Sequence, residues 1–362
     1  MLAVARVISQ SGDSVFFSSS GDAVDLIRNS GYPCENLPLV DVSWKEDGRF
    51  SSLDTARDFP LILARFIQQI KIETGIISSL NPDVVLSDSM LSTVVASRMA
   101  GVKIVTVLNQ LRLEASSGTP QMLAKMISAG SVSLVDRLWD LSATILLSDL
   151  PPPYTISERN LWSSGRAAAK ARYVGFAISP AQNSEDGVTR VLARERKPMI
   201  YWQVSGPRTT RAPLLRCAQR FAEATRDQFI TVVSAGNPVG SRVPVKTSSG
   251  WYYEWCEVKD TLQRLATVIV SRAGHSSIAQ YIIGGRPSLL VPIPMQTEQE
   301  GNAAKAERLG ISLYIDEASL SLETYEDAIA RLQEEAVGQK IKELGAFARN
   351  FDATAEIAKS VT

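Results

Sequence analysis

The chain has 362 residues, long for a single core and suited to two domains. Lys plus Arg and Asp plus Glu each total 38, so net charge is zero and no basic field argues for a nucleic-acid partner. No apolar run reaches the roughly 20 residues that span a bilayer; the three scattered cysteines, Cys34, Cys217 and Cys256, lack zinc or disulfide spacing and point to a reducing cytoplasm.

Residues 1–10 are apolar nearly all round and predict a buried helix. No basic stretch or cleavage site accompanies them, so no signal peptide is expected. Residues 14–18 predict a strand. The chain therefore opens on a helix, whereas in alternating α/β folds a helix follows a strand; the first strand and its turn are expected to be missing. A helix over 21–29 and a short strand over 37–42 follow, then a polar loop over 44–52. A long helix over 54–80 leads to a strand over 83–87 that ends at Asp88. Next come a helix over 91–100, a strand over 103–108 ending in Asn109-Gln110, an amphipathic helix over 122–141 and strands over 144–147 and 172–175. A polar linker with Pro180 closes this half.

The second half repeats the alternation. A strand over 198–204 ends in Ser205-Gly206-Pro207-Arg208, and a helix over 213–225 follows. A strand over 229–233, an aromatic stretch over 250–256 and a short helix over 260–265 come next. A strand over 268–270 then runs into Ser271-Arg272-Ala273-Gly274-His275-Ser276-Ser277, a helix and a strand over 287–293. A polar loop over 296–299, a helix over 303–309, a strand over 312–315 and helical sequence over 322–351 complete the chain. The expected domains are 1–178, a linker 179–196, 197–340, and a C-terminal helix 341–362 packing back on the first domain.

Turns at the carboxyl ends of parallel strands are where doubly wound sheets bind ligands. A helix start there offers unpaired N–H groups and partial positive charge to a phosphate. Two such turns, Ser205-Gly206 and Ala273-Gly274, with Arg208, Arg211 and Arg272, suit a diphosphate, although the arginines read equally as a solvated face. Asp88 is a candidate base, with capping of the following helix as its alternative. His275 is the only histidine, which excludes His-rich metal sites. No Asp-x-Asp suits a divalent ion, so no metal is expected. No G-x-G-x-x-G with a downstream acid follows a strand, which argues against a dinucleotide enzyme.

Arg272 to Gln280, then Gly285-Arg286-Pro287, Val291-Pro292, Glu298-Gln299 and Asn302 together resemble the donor-binding signature of GT-B glycosyltransferases, closest to the MurG-like group and the related diacylglycerol glycosyltransferases. The resemblance implies two facing doubly wound domains with the active cleft between them. It implies that Ser205, Gly206, Arg208, Arg272, Gly274, His275, Ser276 and Ser277 hold the donor diphosphate. Trp255, Cys256 and Gln280 would hold the nucleoside, Glu298 and Gln299 the donor sugar, with Asn109 and Gln110 on the acceptor side and Asp88 as base. Gln280 stands where the family carries a ribose-binding Glu, and a Gly-rich turn ahead of the first helix is missing. The implied reaction is inverting, cofactor-free transfer from a UDP-sugar, an N-acetylhexosamine, to a lipid-linked or polyisoprenoid acceptor. Peripheral contact with the cytoplasmic face of a membrane is implied too, through residues 122–150. An epimerase or hydrolase on the same scaffold, or a donor-binding chain that needs a partner subunit or homodimer, are the alternatives.

Overall fold

The computed structural model describes residues 1–40, 52–109, 135–161, 165–206 and 208–362. They form two compact units. One holds most of the chain up to Ser179 together with Phe351–Thr362; the other runs from Pro180 to Asn350. The expected return to the first unit at 341 thus falls at Phe351.

The first unit contains α1 (Leu2–Gln10), β1 (Phe17–Ser19), α2 (Asp22–Asn29), β2 (Cys34–Asn36), α3 (Ser52–Leu80), β3 (Val84–Asp88), α4 (Leu91–Ala100), β4 (Lys103–Leu108) and β5 (Thr144–Leu147). Short helices α5 (Glu158–Leu161) and α6 (Arg166–Ala169) lead to β6 (Ala171–Tyr173). Its strands form two parallel pieces, β1-β2 and β3-β4-β5-β6. The strand expected over 37–42 is instead Cys34–Asn36, which pairs residue for residue with Phe17–Ser19. The loop over 44–51 and most of the helix over 122–141 lie outside the described residues. α1 buries Val4 and Ala5 and keeps one face open, so it is less enclosed than its composition suggests. Val4 packs with Val105, Val107, Leu146 and Val174, and with Ala353, Ile357 and Ala358 of the final helix α14 (Ala353–Lys359).

The second unit starts inside the expected linker. Asp186 caps α7 (Gly187–Leu192) with a capping box to Thr189, and Tyr253 donates to the other Asp186 oxygen at 2.7 Å. The stretch is therefore docked structure. There follow β7 (Met199–Gln203), α8 (Arg208–Ala224), β8 (Ile230–Ser234), β9 (Val245–Lys246), β10 (Gly250–Tyr253), α9 (Lys259–Leu265), β11 (Val268–Ser271) and α10 (His275–Gly284). Then come β12 (Ser288–Leu290), α11 (Thr297–Arg308), β13 (Ser312–Tyr314), α12 (Leu322–Leu332) and α13 (Glu335–Ala348).

Seven strands lie in the order β13-β12-β11-β7-β8-β10-β9, parallel except for β9. β7 is buried along its whole length, as a central strand covered on both faces must be. Trp202 of β7, Phe221 of α8 and Tyr325 of α12 form an aromatic trio with ring centroids 5.0–6.1 Å apart. Each such pair adds about 0.5–1.5 kcal/mol beyond area burial. The trio keeps α12 on this sheet. The helical sequence over 322–351 breaks between Leu332 and Glu335.

In the first unit a buried carboxylate bridges elements. Glu73 of α3 is 2% exposed and accepts hydrogen bonds from Ser18 of β1 at 3.0 Å and Thr93 of α4 at 2.7 Å. Burial raises its pKa more than these hydroxyls lower it. A carboxyl whose pKa rises on folding supports the native state most when protonated, at low pH. That support is lost as pH climbs from the ordinary carboxylate range through the raised value. The substitution Glu73→Gln keeps a carbonyl acceptor for both hydroxyls and removes the buried charge. Urea melts of the two proteins should diverge as pH rises from 5 to 8, with the glutamine form the more stable at pH 8.

Candidate active site

Parallel register builds the site. Gln203 at the end of β7 pairs with Ser271 at the end of β11. The Ser205-Gly206 turn and the Arg272-to-Gly274 turn therefore leave the same edge of the sheet side by side. Gly206 has φ +102°, and a Cβ there would lie 3.1 Å from Thr210 Oγ1 and 3.7 Å from Ile293 Cδ1. It brings the first turn against the chain that leaves β12 at the same edge.

α10 starts at that edge. Gly274 is its N-cap and supplies no side-chain cap, and the Ser277 N–H turns back to the Gly274 carbonyl at 3.0 Å. His275 is buried, and Ser276 and Ser277 lie in the same first turn. Ile278, Ala279, Tyr281 and Ile282 anchor the helix, and Gly285 ends it with φ +63°.

The helix start is held by α11, which begins at Thr297, earlier than the predicted 303. Glu298 and Gln299 are thus helical rather than in a polar loop, and Asn302 lies in the same helix. Gln299 Oε1 accepts from the N–H groups of Ala273 at 3.2 Å and Ile293 at 3.0 Å. Asn302 Nδ2 donates to the Ala273 carbonyl at 3.3 Å. One side-chain oxygen of the expected sugar pair is thus spent tying two turns together. Glu298 is not spent in that way. It is partly exposed, and burial raises its carboxyl pKa, offset by His275 and by a hydrogen bond from Asn302.

Arg272 requires a correction. Its guanidinium is 2% exposed and points into the fold, away from any anion at the helix start. It donates to the carbonyls of Val291 (3.1 Å), Pro292 (3.2 Å) and Thr210 (2.6 Å) and pairs with Glu317 at 2.6 Å. It is a cross-tie among three segments. The other arginine in range, Arg211, donates Nε to the Gly206 carbonyl at 2.7 Å. The Arg208 side chain lies outside the described residues.

Gln280 lies one turn along α10. Gln263 Nε2 of α9 donates to Gln280 Oε1 at 3.2 Å and to Gln203 Oε1 at 2.6 Å. This amide relay was invisible in the sequence apart from one hint, a glutamine ending an apolar strand. Trp255 is half-buried and its backbone N–H donates to the Ser241 carbonyl at 3.1 Å. The Cys256 thiol is buried, and burial pushes its pKa up to about 12. Met295, with φ +65°, is a non-glycine residue in the left-handed region between β12 and α11, a strained geometry common at ligand sites.

In the first unit Asp88 ends β3 and stays solvent-accessible. Desolvation by surrounding protein raises its carboxyl pKa, and the Met1 ammonium lowers it in part. Ser89 beside it has φ +59°. Met90, not Asp88, is the N-cap of α4, so the capping alternative does not hold. Asn109 follows β4, and Gln110 lies outside the described residues.

Residues 244–356, spanning the α10 turn and α11, match the glycosyltransferase family 28 C-terminal domain. The chain thus carries a glycosyltransferase domain over that third, and its similarities are to MurG-like glycosyltransferases of GT-B fold. It is 22% identical to an uncharacterised glycosyltransferase of Methanosarcina acetivorans over 99% of this chain and 92% of the relative. Over 72 residues, 19% of this chain and 20% of the relative, it is 38% identical to a Gloeobacter violaceus enzyme. That enzyme is named UDP-N-acetylglucosamine–N-acetylmuramyl-(pentapeptide) pyrophosphoryl-undecaprenol N-acetylglucosamine transferase. The fold matches MurG of Acinetobacter baumannii (TM-score 0.61, 13% identity, 99% of this chain and 94% of that one). It also matches a Streptomyces sp. SF2575 glycosyltransferase complexed with thymidine diphosphate (TM-score 0.68, 16% identity, 99% and 94%).

Two outcomes test this geometry. Replacing Arg272 by Ala leaves Glu317 without its buried partner and should cost about 3–5 kcal/mol of stability in denaturant melts. Cys256, with its raised pKa, should resist alkylation at pH 8 in the native protein and react only after unfolding, as read by intact mass.

Proposed function

We propose that this glycosyltransferase moves an N-acetylhexosamine from a UDP-sugar to a lipid-linked or polyisoprenoid acceptor, with inversion. The observation that carries the donor half is the uncapped start of α10, set beside the Ser205-Gly206 turn at the carboxyl edge of the sheet. In this reading the first N–H groups of α10 and the hydroxyls of Ser276 and Ser277 take the diphosphate. As the acceptor oxygen attacks the anomeric carbon, charge grows on departing UDP, and donors already aimed there stabilise it. Glu298 faces the sugar. Trp255 and the backbone at Cys256 take the base. Gln280 takes the ribose.

Asp88 is assigned the proton from the acceptor hydroxyl. A carboxylate with a raised pKa is a better base near neutral pH than an ordinary one. Uridine and a polyprenyl acceptor are chosen in this reading because the Gloeobacter relative, similar over 72 residues, is named for them. No helix among the described residues is long and apolar enough to cross a membrane. A lipid-linked acceptor therefore implies peripheral contact with its membrane.

Calorimetric titration with UDP, TDP and GDP tests the donor, with UDP expected to bind most tightly; equal affinities would overturn the assignment. Labelled UDP-N-acetylglucosamine, incubated with and without polyprenyl-phosphate lipids, tests the reaction. Label should enter the organic phase only with lipid present, and free sugar or an epimer formed without acceptor would sink it. Replacing Gln280 with Glu keeps the acceptor for Gln263 and adds a charge toward the ribose hydroxyls. It should tighten UDP by about tenfold.

A further inference from the structure

One cavity of the second unit lies away from the donor edge. It sits between α8 and the strands β8 and β10 and has a volume of about 280 Å³. α8 starts at Arg208, beside the Gly206 turn, and reaches the cavity only near its far end, with Gln219, Ala222 and Glu223. At 1.5 Å per residue that end is roughly 20 Å from the turn. On the sheet the cavity begins at Thr231, near the amino end of β8, whereas the donor turns leave carboxyl ends.

Small residues make the space. Thr231 pairs with Gly250 of β10 in parallel register, so no side chain stands beside it on that side. Gly250 has φ +151°, and a Cβ there would lie 2.0 Å from the Thr231 carbonyl oxygen, so only glycine fits. Ala222 faces the space from α8, and Val233 and Tyr252, paired in the same register, form an apolar wall. The Thr231 hydroxyl is buried and finds no hydrogen-bond partner among the described residues, a cost that persists until a ligand or water bonds it. At the rim, Glu223 accepts from the Ser248 hydroxyl and from Arg226. The Ser248 bond, and then Arg226, hold its carboxyl below the usual range, so it is ionised at neutral pH. Each carboxylate oxygen keeps a lone pair for a further donor.

We infer that this cavity is a glycan-holding site, separate from the donor edge, that takes one neutral sugar ring. An anion is refused, because the rim carries an ionised carboxylate whose neighbouring cation, Arg226, is already paired with it. A wholly apolar ligand would cut Glu223 and the Gln219 amide off from water without replacing their bonds. A sugar ring carries both kinds of surface. Its C–H face lies on Tyr252 and Val233, and its hydroxyls donate to Glu223 and bond Gln219 and Thr231. Size agrees. Pockets for drug-sized ligands run from about 300 to 1,000 Å³, so this smaller one has room for a single ring, with the rest of a glycan leaving past the exposed rim. In a chain with a glycosyltransferase domain, such a site grips a glycan by a residue that is not reacting. It does not depend on which donor or acceptor the active site takes.

The test uses the full chain and methyl glycosides of glucose and N-acetylglucosamine that carry a photoreactive diazirine. After irradiation, label is mapped by peptide mass. Label should fall on residues 219–223 and 247–252 and be lost in Gln219→Trp, which fills the mouth from an exposed helix position. Label confined to residues 274–302, or none above that from a diazirine without sugar, would overturn the site. Ligand-observed NMR titration of the plain methyl glycosides then measures affinity. Glu223→Gln keeps an acceptor for Ser248 and loses the charge, so binding should weaken about tenfold. Unchanged binding in that variant would overturn the assigned recognition. Both substituted positions are exposed, and equal thermal midpoints check that the variants are folded.

Discussion

Both polar atoms of one peptide residue, Ala273, are gripped by side chains of a single helix: Gln299 takes its N–H and Asn302 donates to its carbonyl. In the proposed function the start of α10 reads the donor phosphates, and N–H groups there serve only if their direction is fixed beforehand. Gln299 extends the same oxygen to Ile293, so the turn after β11 and the chain after β12 move as one body. Arg272 ties the neighbouring carbonyls of Val291 and Pro292 to Thr210 and Glu317. The residues that resemble a binding signature thus divide into those that face a ligand and those that hold the facing ones still.

That division explains what was legible in the sequence. Strand-turn-helix periodicity located β3, α4, β4, β5, β7, β11 and α10 closely, because these elements are apolar and bounded by Gly or polar turns. The two turns of the donor edge followed from it. Direction did not follow. Arg272 sits next to a phosphate-binding turn by number, but its chain runs inward to three carbonyls, and charge near a turn is the same signal in either case. The early start of α11 was hidden because Thr297, Glu298 and Gln299 resemble a polar loop until the hydrogen bonds to Ala273 are known. The relay through Gln263 depends on three elements meeting, which no local pattern records.

The departure at Gln280 takes on a physical sense in the same frame. Its carbonyl is already bonded to Gln263, which also binds Gln203 at the end of the central strand. The position is therefore oriented from the core outward. A neutral amide there costs less to bury than a carboxylate and loses charge-assisted strength toward a diol. The family resemblance and this local chemistry are compatible, since the phosphate-facing backbone does not depend on the side chain at 280.

The crossing of the chain at Asn350 and Phe351 bears on how the molecule is made. Among the described residues the second unit occupies the run Pro180 to Asn350, while the first needs α14 from the last dozen residues to cover Val4, Val105 and Leu146. During synthesis the earlier-made half is thus the one that must wait. Its sheet is translated first but lacks one covering helix until Ala353–Lys359 has been made, after the run to Asn350 that holds the second unit. The order of completion thus runs opposite to the order of translation.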